Sequence, residues 1–216
     1  MNKRYSKEEN EIVIEQVRST VRYWFRTASE LNRTAGNAWY HRTHQQVHMF
    51  AITQGISLEQ ACAVVSVLSP GVRWEQNIRD AGRVCSAWNR GKLWAKVGTY
   101  GRQVRKAFYI LDECKGMDAM AIADYIGTEN ARKTRAFYWN LVSPVSSQQV
   151  TIDRWILRGM GFMVNRTTKR MYGLVSTAFR REALEIGSQP HQLQAIVWLE
   201  VKNRGVSAST YWLPGF

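Results

Sequence analysis

The stretch that decides the fold reads Ile126-Gly127-Thr128-Glu129-Asn130-Ala131-Arg132-Lys133-Thr134-Arg135-Ala136-Phe137-Tyr138. It continues, after a short break, as Val150-Thr151-Ile152-Asp153-Arg154-Trp155-Ile156-Leu157-Arg158-Gly159-Met160-Gly161. A turn carrying Gly127 and Asn130 opens a helix rich in cations, with Arg132, Lys133 and Arg135 in its first turn. Twenty residues after Lys133 a lone carboxylate, Asp153, begins a second apolar helix. Thr151 is the expected N-cap of that helix, and its dipole favours a carboxylate in the first turn. A basic turn followed by a helix start suits a nucleic-acid phosphate. The backbone N–H groups near Gly127 to Asn130, with Arg132, are the expected cradle.

Outward from this stretch the apolar residues recur at helical spacing, and strand signals are weak. Helices are predicted near Lys7–Leu31, Ala38–Gln54, Leu58–Leu68, Trp74–Trp88, Arg102–Cys114, Asp118–Tyr125, Ala131–Val142, Ile152–Met160, Thr168–Glu185 and Gln192–Asn203. Ser57 with Gln60 resembles a capping box. Ala61 to Leu68 is apolar nearly all round and predicts a buried central helix. Tyr211, Trp212 and Phe216 are possible anchors of a docking tail from Gly205 onward. The expected architecture is all-α and two-lobed, without a linker or repeat. One lobe spans residues 57–161, and residues 1–56 and 162–216 pack together as the other.

The 216 residues carry a formal net charge of +13, with 45% hydrophobic residues. That combination points to a packed protein with a polyanionic partner. No apolar run approaches the ~20 residues of a spanning helix, so DNA or RNA is expected rather than a membrane, and no protein partner is evident. The N-terminus is too polar for a signal peptide. Cys62, Cys85 and Cys114 are scattered, without the spacing of a thiolate metal or cluster site. They fit a reducing compartment, the cytoplasm of a bacterium or of a virus-infected host. His41, His44 and His48 share one helical face, but no acidic or cysteine ligand lies nearby in sequence. They read as a DNA-facing or partly buried stripe, so neither a metal nor a cofactor is expected. Phe137, Tyr138 and Trp139 read as core packing, and Lys169, Arg170, Arg180 and Arg181 as a solvated face.

The order of these pieces resembles the helix-hairpin-helix DNA glycosylase superfamily, the endonuclease III-like enzymes. Arg132-Lys133-Thr134 is similar to the lysine-threonine pair that opens the helix after the hairpin. Ile152-Asp153-Arg154-Trp155-Ile156-Leu157-Arg158 is similar to the later stretch that carries the aspartate, and Gly161 to the glycine that closes it. Val65-Ser66-Val67-Leu68-Ser69-Pro70 resembles the buried helix ending before the DNA-probing loop. The span from Tyr100 to Leu111 resembles the turn and helix before the hairpin. The likeness covers residues 57 to 161. Gly127 stands alone where the family has two glycines, and Arg154 replaces the family's histidine. The iron–sulfur cysteines of some members are absent.

What the resemblance implies is a base-flipping enzyme. Asp153 would be the catalytic carboxylate, stabilising charge at C1′ or activating water, and Lys133 the assisting or nucleophilic amine. Gly127, Asn130, Arg132, Thr134, Arg135, Ser69, Arg73 and Arg154 would bind duplex DNA. Trp74, Glu75 and Asn77 would line the substrate pocket. Compact viral relatives that act in thymine hypermodification are also similar around Leu68-Ser69-Pro70, Trp74 to Asn77 and Thr151 to Arg154. Three readings therefore stand open: N-glycosidic cleavage of a modified or damaged base, group transfer to a hypermodified pyrimidine, and non-catalytic DNA binding on the same scaffold. The residues alone also allow a plainer account, in which Lys133 is a phosphate contact and Asp153 a helix-start residue. The first reading requires the Lys133 amine and the Asp153 carboxylate to face one groove.

Overall fold

Ser57 Oγ accepts the backbone N–H of Gln60 at 3.1 Å, and from that cap runs a helix whose residues Gln60 to Leu68 are all buried. In the computed structural model, which describes residues 6–127, 131–163 and 168–205, this is the third of ten helices. They are α1 (Lys7–Thr27), α2 (Glu30–Gln54), α3 (Leu58–Leu68), α4 (Trp74–Trp88), α5 (Gly101–Glu113), α6 (Ala119–Ile126), α7 (Arg132–Val142), α8 (Arg154–Gly159), α9 (Lys169–Glu185) and α10 (Pro190–Asn203). The described residues contain no strand, so the chain is all-α.

The chain divides into two units. One comprises Met1–Tyr40 with Ser147–Phe216, the other His41–Ser146. In the second unit α3 is the central helix, packed by α4, α5, α6 and α7. The Gln60 side chain does not close the capping box. It donates instead to the carbonyls of Ile110 and Leu111 on α5, at 3.2 and 3.3 Å. At the other end of α3, the Ser69 N–H bonds back to Ser66, three residues away, which leaves the Val65 carbonyl among the orphans of the last turn. Asn77 of α4 satisfies it with Nδ2 at 2.9 Å.

In the first unit, α1 packs lengthwise on α9, and α10 fills the space beside α8 and α9. Val17 and Val21 of α1, Val175 and Phe179 of α9, and Leu193, Val197 and Val201 of α10 are fully buried. Trp24 donates its indole N–H to the Gly159 carbonyl at 2.7 Å. Val150, Ile152, Ile156, Leu157 and Met160 belong to this same core. That is why the division falls after Ser146 and not after Gly161, and why Asp153 lies in the first unit. The other boundary falls within α2, whose residues from His41 onward belong to the second unit.

The expected gap between Leu31 and Ala38 does not exist. The chain breaks earlier, at Ala28 and Ser29, where Ser29 Oγ accepts the Asn32 N–H at 3.2 Å. Gly36 and Asn37, which fall in that expected gap, sit inside α2. A Cβ on Gly36 would lie 2.6 Å from the Ile196 backbone, so glycine is there to let α10 approach.

Glu200 of α10 locks the start of α2 in the first unit. Its Oε2 accepts from Asn32 Nδ2 at 2.7 Å and from the Ser29 N–H at 3.2 Å, while Oε1 pairs with Arg204 at 2.6 Å. Burial alone would raise its pKa, but Asn32, Arg204 and the Ser29 N–H outweigh it and hold the carboxyl below its ordinary value. A depressed folded pKa gives stability that is complete above the unfolded value of about 4.3 and is lost as pH falls through the folded one. Thermal melts taken from neutral to acid pH should therefore show a shallower acid loss in Glu200→Gln than in the parent chain. An unchanged acid limb would count against this lock.

Candidate nucleic-acid interface and carboxylate site

In the second unit α7 follows α6, and residues 128–130 between them lie outside the described residues. Gly127 ends α6 with φ +105° and ψ 152°, a conformation open to glycine and strained for other residues. Its N–H returns to the Ala123 carbonyl at 3.3 Å. Asn130 lies outside the described residues. Arg135 pairs with Asp124 of α6 at 2.9 Å, and Tyr138 reaches the Ala119 carbonyl at 3.1 Å, so both clip α7 to α6. Lys106 of α5 donates to the Ile126 carbonyl at the end of α6, and burial lowers its pKa. Lys133 is half-buried in the first turn of α7, beside Arg132 and Thr134. The hydroxyl of Ser69 turns back to the Ser66 carbonyl at 2.9 Å. Arg73 and Glu75 are exposed at the start of α4. Trp74 donates to Gln46 at 2.7 Å and lies edge-on to Phe137.

Asn77, expected from the resemblance in the substrate pocket, does not lie on an exposed helix start. It is 2% exposed and caps α3, and its Oδ1 is buried without a hydrogen-bond partner. The sequence reading missed a buried carboxylate on the same helix. Asp80 is fully buried, and it accepts from Gln76 at 2.7 Å, Arg83 at 3.1 Å and the Gly98 N–H at 2.9 Å. An aspartate on the face shared with Asn77, Ala81 and Val84 is the signal that would have flagged it.

In the first unit, Asp153 is itself the N-cap of α8, which corrects the assignment of that role to Thr151. Its Oδ1 accepts the N–H groups of Trp155 and Ile156 at 2.9 and 3.0 Å. An aspartate at this position outcompetes a threonine two residues earlier because its oxygen reaches both orphan donors. Thr151 is buried instead, with its hydroxyl accepting from Tyr40 at 3.2 Å. Asp153 Oδ2 accepts the indole N–H of Trp198 at 3.0 Å. The three partners of the carboxylate among the described residues are thus neutral N–H groups, and one lone pair of Oδ2 is left for a ligand.

Cations lie over the rings of two of the donor residues, Trp155 and Trp198. The exposed Arg154 lies 5.9 Å from the Trp155 ring centre and Arg158 lies 4.8 Å from it. Lys202 sits 4.5 Å over Trp198, whose other neighbour is Trp39 at 6.1 Å. Trp198 is the positioning residue the sequence reading missed, because it comes from α10, forty-five residues away. A carboxylate held by neutral N–H donors can stabilise a developing cation or take a proton from water.

Other sequence candidates resolve into structure. His44 Nδ1 meets the Leu141 carbonyl at 2.6 Å and stacks on His48, and His41 and His48 are exposed. No group of three His, Cys, Asp or Glu among the described residues is placed to hold a metal. Arg181 pairs with Glu11, Arg170 with Asn10 and Arg180 with the Gln148 carbonyl. Phe137 and Tyr138 are buried, with Trp139 half-buried. No single helix among the described residues is long and apolar enough to cross a membrane. Tyr211, Trp212 and Phe216 lie outside the described residues.

Neither a curated protein nor a solved structure matches the chain. Over residues 3–205 it matches DUF7178, a family of unknown function, and it therefore belongs to that family.

Proposed function

We propose that this chain is a DNA-binding enzyme of the helix-hairpin-helix glycosylase type, cleaving the N-glycosidic bond of a modified or damaged base. The observation that carries the reading is Asp153. It is a carboxylate held by neutral N–H donors, with acceptor capacity left over and the Trp198 indole against it. The order α6, Gly127, α7 supports the same reading, because the second helix opens on Arg132, Lys133 and Thr134. The net charge of +13 supplies the attraction to a polyanion.

In the reaction the C1′–N bond breaks and its electron pair leaves with the base. Asp153 stabilises the positive charge on the sugar. Water then adds to C1′ and gives its proton to the carboxylate. Extrusion of the base beforehand costs a few kcal/mol, least for a damaged or mismatched one, which favours such bases as substrates. If Lys133 is the nucleophile, its amine replaces water and forms a Schiff base with the opened sugar.

Incubation with a panel of modified duplexes, followed by mass spectrometry of the released bases, tests this directly. Free base is the expected product. With borohydride, a trapped protein–DNA adduct that disappears in Lys133→Ala identifies the lyase route, and base release that survives Lys133→Ala identifies the monofunctional one. A pyrimidine altered at its side group with no abasic site would replace the proposal by group transfer. Binding with a steep salt slope and no reaction would replace it by a binding module.

A further inference from the structure

Between Asp80 and Asp112 the chain has seven lysines or arginines and no acidic residue. This span holds most of α4, the connection from Asn89 to Tyr100, and most of α5, all within the second unit. None of the residues assigned to DNA by the hairpin resemblance lies in it.

The connection is anchored at several points. The Lys92 N–H bonds to the Ala87 carbonyl at 3.0 Å, Gly98 donates to buried Asp80, and Thr99 Oγ1 donates to the Pro70 carbonyl at 2.8 Å. Ala95 is buried beneath it. Two large apolar side chains at its tip are nonetheless in solvent: Leu93 is 83% exposed and Trp94 54%. One edge of the Trp94 ring rests on Gly101, where an added Cβ would stand 3.1 Å from it. The indole is thus supported from one side and open on the rest. Tyr100, also exposed, lies beneath Arg102 at 5.8 Å. Lys92 and Lys96 in the same connection, and Arg102 and Arg105 just after it, are also exposed.

A single indole among cations is too small an apolar area to hold a membrane surface. Cations interleaved with aromatic rings are the arrangement that grips a polynucleotide. The charges track phosphates, and a ring stacks on a base that is free to leave its neighbours. We propose that the Asn89–Tyr100 loop is a second nucleic-acid contact, in which Lys92 and Lys96 bind backbone phosphates and Trp94 stacks on an unpaired nucleobase. It shares with the proposed function only the polynucleotide ligand, and needs neither Asp153 nor Lys133.

The test uses the full chain and two fluorescein-labelled duplexes, one fully paired and one with a single-nucleotide bulge, read by anisotropy across a salt series. Trp94→Ala should weaken binding to the bulged duplex by about tenfold or more while leaving the paired duplex nearly unaffected. Trp94→Phe, which keeps a ring, should recover most of that loss. Lys92→Gln with Lys96→Gln should flatten the salt slope on both duplexes by roughly two. If the parent chain binds and none of these variants differs from it, this loop is not a contact, and the proposed function stands untouched. If the parent chain binds neither duplex, both readings fall. Binding to phosphatidylserine vesicles that Trp94→Ala abolishes, with both duplexes unaffected, would make the loop a lipid contact and overturn the assignment.

Discussion

Asp153→Asn should leave the fold standing and reduce base release by at least about a hundredfold, the range spanned by loss of a positioned acid–base or charge-stabilising group. Asparagine is as good an N-cap as aspartate, so its Oδ1 can still take the N–H groups of Trp155 and Ile156 that Asp153 takes now. Two things change. The negative charge is gone, and with it the group that, in the proposed reaction, stabilises the sugar cation or accepts the water proton. The amide nitrogen also meets the Trp198 indole N–H, a donor against a donor, where the carboxylate now accepts at 3.0 Å. That lost bond costs about 1 kcal/mol, small beside the kinetic effect. Melting temperature and base release, measured on the same preparation, separate the two. A stable variant that releases base at the parental rate would remove Asp153 from the chemistry. Trp198→Phe keeps an apolar wall and the charge, so its activity should fall between the two.

Gly36→Ala should cost roughly 3 kcal/mol or more, reversing the gain that alanine normally brings to a helix. In an open helix alanine is better than glycine by about 1 kcal/mol. At Gly36 the new Cβ would stand 2.6 Å from Ile196 N, Cα and Cγ1. Two of those atoms are backbone and have no rotamer to escape into, so α2 and α10 of the first unit would have to separate. Gly173→Ala is the internal control. It lies in α9 with nothing within 4 Å of an added Cβ, and it should be neutral or stabilising by up to about 1 kcal/mol. For a chain of this size each kcal/mol moves the melting temperature by about 2–4 °C. The Gly36 variant should therefore melt below the parent and the Gly173 variant at or above it, roughly 6–16 °C apart. Equal melting temperatures would contradict the close approach at Gly36.

Much of the fold was legible because the helices carry local signals. Leu58–Leu68 and Trp74–Trp88 were read to the residue, the first from Ser57 and a continuous apolar run, the second from its position after Pro70. The exception was α2, where Gly36 fell in an expected gap, because a local reading cannot see the Ile196 backbone pressed against it. The carboxylate was legible as a residue type, but its partner Trp198 and its own capping role were not. Asp80 shares a helical face with Ala81 and Val84, which marks it for burial, but the donors that satisfy it, Arg83 and the Gly98 N–H among them, are set by the fold.

Periodicity, caps and charge by themselves determined an all-helical, strongly basic chain with a helix-opening cationic turn, since those signals act over one or two turns of backbone. Only the tertiary structure decided which unit owns Asp153, what holds it, and which glycine lets two helices touch. Those depend on contacts between residues dozens to more than a hundred positions apart, Asp153 with Trp198 and Gly36 with Ile196, and no spacing along the chain encodes such a meeting.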